Sequence, residues 1–329
     1  MKKRTFKNIL VISLSNIGDV ILTLPVVNVL RGNFPGSKIS IVIGPNAVEL
    51  LTGCKELHEV IVYDKRASLL SKARFVYDLR THKFDCAVDL RNTAIPYLLL
   101  PITCDVLSCV ARQHAGSMKK KHLDRLAFLG LDMNVSEPIT LYSSNDERSL
   151  SDKLSQRGIT EKYVGRAVLI APSARTPFKT WPAEKFVGLC KKIREEYPDR
   201  PIMLVGSKDE EGIAITIKEK VAHDVVVLAG ALSLKEYAAL TQQAALLVAH
   251  DSAAMHIGNY HSIPLIALFG PTSAEQYGED SDTSTVIKRN DLDCVPCCGV
   301  QCDIGRVCLS ELPVDTVFAE VRRKLSMQP

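Results

Sequence analysis

Short runs of β-branched and aliphatic residues recur along the chain, each followed by a segment with helical spacing, and this alternation decides the fold class. A first series reads as strands at 9–14, 38–43, 59–63, 85–90 and 106–111, with helices around 19–33, 67–82 and 119–130. A second series reads as strands at 167–171, 202–205, 225–228, 246–249 and 265–269, separated by helices around 182–197, 208–222, 233–243 and 252–260. Strands that are continuously apolar are buried on both faces, and intervening helices supply the crossovers that parallel strands need. The pattern predicts α/β domains, each a doubly wound parallel sheet. A chain of 329 residues has room for two. We place them at 1–160 and 161–329, with a polar helix at 143–157 joining them. The last helical segment, 314–326, finds no place in the second sheet and is expected to return to the first domain.

Composition narrows the function. The chain is 46% hydrophobic and 24% charged, an ordinary globular balance that excludes disorder, collagen and coiled coil. Net charge is only +4, unlike a nucleic-acid-binding protein. The first 160 residues carry 22 Lys and Arg against 15 Asp and Glu, and the remainder 19 against 22, so an acidic partner is expected on the first half. Lys2, Lys3 and Arg4 precede an apolar stretch, but Ser13, Ser15, Asn16 and Asp19 break it, which reads as a strand entering a loop rather than a secretion signal. No run is long enough to span a membrane, and the cytoplasm is the expected compartment. Five of the ten cysteines, Cys54, Cys86, Cys104, Cys109 and Cys190, sit in or beside apolar runs, where cysteine acts as a small hydrophobe. The other five, Cys294, Cys297, Cys298, Cys302 and Cys308, follow the spacing C-x2-C-C-x3-C-x5-C. Four of these could hold zinc; the competing reading is reduced thiols in a compact loop, with redox chemistry behind both. A disulfide framework is not expected in a reducing compartment.

Ligands of open α/β sheets bind beyond the carboxyl ends of the strands, and four such ends carry chemistry. The first, Ser13-Leu14-Ser15-Asn16-Ile17-Gly18-Asp19, has one glycine where a dinucleotide fingerprint needs three, which argues against a nicotinamide-dependent oxidoreductase. Asp19 is either a helix-start carboxylate or a general base, and as a base its carboxylate is expected free of any arginine or lysine clamp that would consume it. The second, residues 171–182, brings Ser173, Arg175 and Lys179 to one loop, a composition suited to phosphate; the alternative is a solvated basic loop with Trp181 as core anchor. The third, His250-Asp251-Ser252-Ala253-Ala254-Met255-His256, opens a helix whose free N–H groups attract anions. Its Asp251 would repel phosphate and is assigned to a sugar hydroxyl or the helix cap, and His256 taken alone reads as a core residue. The fourth is Gly270-Pro271-Thr272, a sharp turn whose threonine can meet a ligand or cap the next helix.

In this order and context, S-N-I-G-D-V, K-T-W-P, H-D-S-A-A-M-H and L-F-G-P-T resemble the ADP-heptose:lipopolysaccharide heptosyltransferases, glycosyltransferase family nine. The resemblance implies a GT-B architecture, two Rossmann-like domains facing across a cleft. It implies an inverting enzyme that moves heptose from ADP-heptose to a lipopolysaccharide inner-core acceptor, with the acceptor on the first domain and the donor on the second. By the same resemblance Asp19 is the base, Lys179 and Ser173 contact the donor phosphates, Glu210 lies near the ribose, and Asp251, Ser252, Ala253 and His256 surround the diphosphate and heptose. Family members often carry Thr or Gly where this chain has Ser252 and Ala253. No Asp-x-Asp pair stands in the four strand-end loops to suggest a catalytic cation, so no metal or other cofactor is expected. The alternatives are transfer from another sugar nucleotide, or a non-catalytic sugar-nucleotide-binding protein. Lys2, Lys3, Arg4, Lys7 and Lys119–Lys121 offer an anionic inner-membrane leaflet peripheral attraction, or are simply solvated.

Overall fold

The computed structural model describes residues 5–13, 16–99, 116–126, 129–134, 137–221, 225–279, 281–299, 302 and 304–327. The expected strand 106–111, with Cys104 and Cys109, and the basic residues Lys2, Lys3 and Arg4 lie outside them. The chain divides into two compact units, Met1–Leu141 and Tyr142–Pro329.

In the first unit β1 (Asn8–Ile12) leads to α1 (Ile17–Asn33), β2 (Lys38–Ile43), α2 (Val48–Leu51), β3 (Glu59–Val62), α3 (Leu69–Thr81), β4 (Cys86–Asp89), α4 (Ile95–Leu98) and α5 (Met118–Asp124). The four strands are parallel in the order β3-β2-β1-β4. Residues Ile9 to Ile12 are fully buried, as a central strand covered on both faces requires. α1 buries residues on every face, from Val20 to Leu30, and carries Pro25 within it. The helix expected over 119–130 stops at Asp124.

The second unit opens with α6 (Ser144–Ser155) and α7 (Glu161–Val164). It continues through β5 (Val168–Ala171), α8 (Ala183–Glu196), β6 (Ile202–Leu204), α9 (Glu211–Val221), β7 (Val225–Val227), α10 (Leu234–Gln243), β8 (Leu246–His250), α11 (Ala253–Tyr260), β9 (Leu265–Leu268), α12 (Ala274–Tyr277), β10 (Ser284–Ile287), α13 (Val307–Ser310) and α14 (Val314–Ser326). Its six parallel strands run β10-β9-β8-β5-β6-β7. This is the dinucleotide-fold order, with the chain reversing direction between β5 and β8.

Two placements differ from the sequence reading. The boundary falls after Leu141 rather than at 160, because α6 docks on α10: Ser149 Oγ donates to Glu236 Oε1 at 2.6 Å and Lys153 Nζ to Glu236 Oε2 at 2.7 Å. The final helix, expected to return to the first domain, buries Val317, Phe318, Val321 and Leu325 in the core of the second unit, against α8 and the ends of β8 and β9. Its apolar stripe fills a face that the sheet, one strand wider than expected, leaves uncovered.

Candidate functional site

The reversal between β5 and β8 sets their carboxyl-end loops side by side, Ala171 being in register with Ala249. Lys179, in a short 3₁₀ turn after β5, therefore reaches Asp251, which follows β8: Nζ stands 2.6 Å from Oδ2. His256, one turn into α11, puts Nε2 at 3.6 Å from the other oxygen, Oδ1. Burial alone would raise the Asp251 pKa. The His256 imidazole, then the charge and hydrogen bond of Lys179, overcome this and hold the carboxyl well below the usual range. Asp251 and His256 are almost wholly buried, whereas the Lys179 side chain is 30% exposed. An ammonium has three donors, so Asp251 fixes the position of Lys179 and leaves it donors for a ligand. Asp251 thus anchors the cation, and no capping bond from it is needed to explain its burial.

Ser252 precedes α11 and makes no capping bond with its side chain. Its Oγ is buried without a hydrogen-bond partner among the described residues, and so is Thr272 Oγ1 on the next strand end, after β9. Thr272 does not cap α12; the neighbouring Ser273 does, accepting from the Gln276 N–H. Buried hydroxyls are rarely left unpaired, and two of them on adjacent strand ends suit a polar ligand. Ala253 begins α11 and keeps its first amides approachable. The Ser173 hydroxyl makes a long 3.5 Å bond to the Ala174 carbonyl.

The loop carrying Lys179 is pinned at its far end. Trp181 is fully buried, edge-on to Phe186 with ring centroids 4.9 Å apart, and its indole N–H donates to the Leu312 carbonyl at 3.0 Å. Its backbone N–H donates to His250 Nε2 at 2.8 Å, which requires that ring nitrogen to be unprotonated. Burial pushes the His250 pKa down to about 4, in keeping with that role. Trp181 is therefore the anchor that the sequence suggested, while the part played by His250 was not visible there. Glu210 closes the turn after β6: Oε2 accepts from the Ser207 N–H at 2.7 Å and from Ser207 Oγ at 3.0 Å. A Cβ on Gly206 would stand 2.8 Å from that oxygen, so the glycine makes room for the capping box. Position at the end of β6, beside β5, leaves Glu210 available to a ligand, but its first task is local.

In the first unit the equivalent reversal lies between β1 and β4. Asp19 stands in the first turn of α1, where a carboxylate complements the helix dipole. A cation does stand nearby, though not as a clamp that would consume the carboxylate. Arg91, just beyond β4, brings Nη1 to 3.9 Å from Asp19 Oδ1. Neighbouring strand ends force the approach, and Asp89 holds the Arg91 backbone N–H at 2.8 Å. At 3.9 Å the guanidinium accompanies the carboxylate without occupying its lone pairs.

The cysteine-rich segment contains no disulfide among the described residues. Burial, and after it the neighbouring Cys302, Cys297 and Cys294, hold the Cys308 thiol above its ordinary range. No described helix is long and apolar enough to cross a membrane.

Residues 109–307 match the model of glycosyltransferase family 9 (heptosyltransferase). The lipopolysaccharide heptosyltransferase 3 of Escherichia coli is 25% identical over 78% of this chain and 81% of its own length. Among solved structures, a family 9 glycosyl transferase from Veillonella parvula superposes with a TM-score of 0.83 at 20% identity, covering 99% of both chains. The E. coli ADP-heptose lipopolysaccharide heptosyltransferase II superposes at 0.72 and 21% identity, over 97% of this chain and 99% of that one. At these identities the two superpositions establish the fold.

Proposed function

The chain belongs to glycosyltransferase family 9, the heptosyltransferases, and from that membership we propose that it transfers heptose from ADP-heptose to an anionic lipopolysaccharide inner-core acceptor with inversion. The observation that carries the donor half is the switch point of the second sheet. There a buried carboxylate fixes Lys179, and two buried hydroxyls, Ser252 and Thr272, stand without a hydrogen-bond partner among the described residues. The curated relative is named for lipopolysaccharide, and a superposed neighbour for ADP-heptose.

The chemistry follows from the residues. Asp19 takes the proton of the acceptor hydroxyl as its oxygen attacks the anomeric carbon of the heptose. The bond from that carbon to the diphosphate breaks, and ADP departs with the electron pair. Lys179 and the amides at the start of α11 meet the charge that develops on the leaving oxygen, where a preorganised donor is worth about 10²–10³ in rate. These groups supply the charge that a cation would otherwise bring, so we read the transfer as independent of a metal at the diphosphate. Ser173 adds a phosphate contact, Glu210 a ribose contact, and Ala253 the close approach of the backbone. Arg91, beside Asp19, offers an anionic acceptor a first contact. Lys7 and Lys119–Lys121 draw the enzyme to the anionic face on which such an acceptor is displayed, and we place it in the cytoplasm, peripheral to the inner membrane.

Thermal stabilisation by ADP, UDP, GDP and NAD, followed by product analysis with ADP-heptose and core acceptor, tests this reading. ADP should stabilise the chain and heptose should appear on the acceptor. Stabilisation by UDP or NAD but not ADP would overturn the donor; ADP binding without transfer would reduce the chain to a binding protein.

A further inference from the structure

The segment after β10 is built from turns. Four of its cysteines, Cys294, Cys297, Cys302 and Cys308, line one small cavity of about 20 Å³ together with Phe178 and Pro271. That is room for about one water-sized sphere. The fifth cysteine, Cys298, is absent from the lining. It takes a left-handed backbone (φ 50°) and gives its N–H to the Pro271 carbonyl at 2.8 Å. The cysteines therefore sort into four and one, with the odd residue spent on the turn. The chain is also bent sharply where the last two sulfurs approach. Gly305 and Arg306 are both left-handed, at φ 70° and 60°, and the Arg306 N–H donates to Cys302 Sγ at 3.2 Å. An amide pointing at a cysteine sulfur favours thiolate, and is the kind of outer bond that tunes a metal-bound one. Disulfides do not explain the cluster, because all four sulfurs are free.

We propose that Cys294, Cys297, Cys302 and Cys308 bind one soft metal ion, zinc or iron, as a four-thiolate structural centre. The donor set fits: four sulfurs in the spacing C-x2-C-x4-C-x5-C suit tetrahedral zinc or iron and no hard cation. Among the described residues no group of three or more His, Cys, Asp or Glu is arranged to hold a metal ion as it stands. Binding would therefore require these four side chains to turn inward until the sulfurs stand about 2.3 Å from the ion.

The position of this centre gives it work. Arg306 Nη1 donates to the Pro177 carbonyl at 2.6 Å, two residues before Lys179, while Cys298 holds Pro271, next to Thr272. Gly270 lies so close beneath that a Cβ there would stand 2.6 Å from Leu309 Cδ1 and 3.3 Å from Cys308 Sγ. One metal ion would thus fasten two of the strand-end loops at once; this part rests on the donor-site reading above.

The test uses the full chain, produced with both zinc and iron available and purified reduced, without chelator. Elemental analysis should find about one ion per chain; a colourless protein identifies zinc and a visible sulfur-to-metal band identifies iron. Cys298→Ser should keep the ion, and Cys294→Ser with Cys302→Ser should lose it. Should that double variant fail to fold, cobalt(II) added to the demetallated wild-type chain decides instead, through its intense thiolate absorption. A reduced chain that yields no such band, or a Cys298→Ser variant that loses metal as completely as the double variant, overturns the site. ADP affinity, measured calorimetrically, should weaken about tenfold on demetallation and return with metal. Unchanged affinity overturns the fastening. A metal-loaded chain that binds no ADP leaves the centre standing and overturns the donor reading.

Discussion

Replacing Lys179 with Met keeps the aliphatic stem and removes the charge, which makes it the sharpest probe of the second unit. Two consequences can be worked from the geometry. The first concerns stability. Asp251 is 7% exposed and its carboxylate loses a partner at 2.6 Å. Breaking a fully buried pair costs about 3–5 kcal/mol. Lys179 is 30% exposed, so solvent screens part of this, and about 2 kcal/mol is expected. In a unit of this size that lowers Tm by about 4–8 °C. The sign of the pH dependence follows. The native Asp251 pKa lies below its ordinary value, so its contribution is present above that value and fades as pH falls toward the native one. The variant, starting with less of that contribution, should show a shallower loss on acidification. The second consequence is catalytic: turnover should fall by about 10²–10³. Thermal melts from pH 7 to pH 2 and initial rates on the same preparation measure both. Unchanged turnover would remove Lys179 from the leaving-group site. A rise in Tm would show that the pair costs more to bury than it returns.

Asp19→Asn should lower turnover by about 10²–10⁴ while ADP binding, measured by calorimetry, stays as in the parent; loss of a few degrees in Tm with full activity would leave Asp19 as a helix-start residue only. Ser252→Ala and Thr272→Ala each remove a hydroxyl that has no partner among the described residues, so stability should hold or rise, while each change weakens ADP binding by about 1 kcal/mol, or about fivefold. Reduced stability with unaltered ADP affinity would show that these hydroxyls serve the fold. Burial pushes His122, His250 and His261 down to about 4. The unfolded chain takes up their protons first, so stability should decline as pH falls from about 6.5 to 4. Proton uptake on unfolding, measured calorimetrically at pH 5, should exceed two; a value near zero would contradict the burial.

The strand series was legible because strands covered on both faces are written as unbroken apolar runs, and β1, β5 and β8 have that form. β10 was not, since Ser284-Thr285 opens it and an edge strand needs no such run. The candidate residues were legible as strand-end loops. Their partnerships were not, because Lys179 and Asp251 stand 72 residues apart and meet only once β8 is placed beside β5. The same holds for Arg91 and Asp19, which depend on β4 lying beside β1. The helix at 143–157 looked like a linker because its composition is polar. Glu236, buried and claimed by Ser149 and Lys153, is what commits it to the second unit, and nothing local to that helix announces so distant a carboxylate.

Trp181 is the chain's single tryptophan, and it closes the loop that carries Lys179. Its emission therefore comes from one known place. The indole is packed in the core with its N–H engaged, while its backbone is tied to the ring of His250, the residue before Asp251. An imidazolium quenches a neighbouring indole, whereas the neutral ring does not. Acidification toward pH 4 should dim the signal as His250 takes up a proton and releases the Trp181 amide. Nucleotide titrations should shift the wavelength only to the extent that the loop itself moves. The chain thus carries its own spectroscopic gauge of the loop, readable without a label and undiluted by a second emitter.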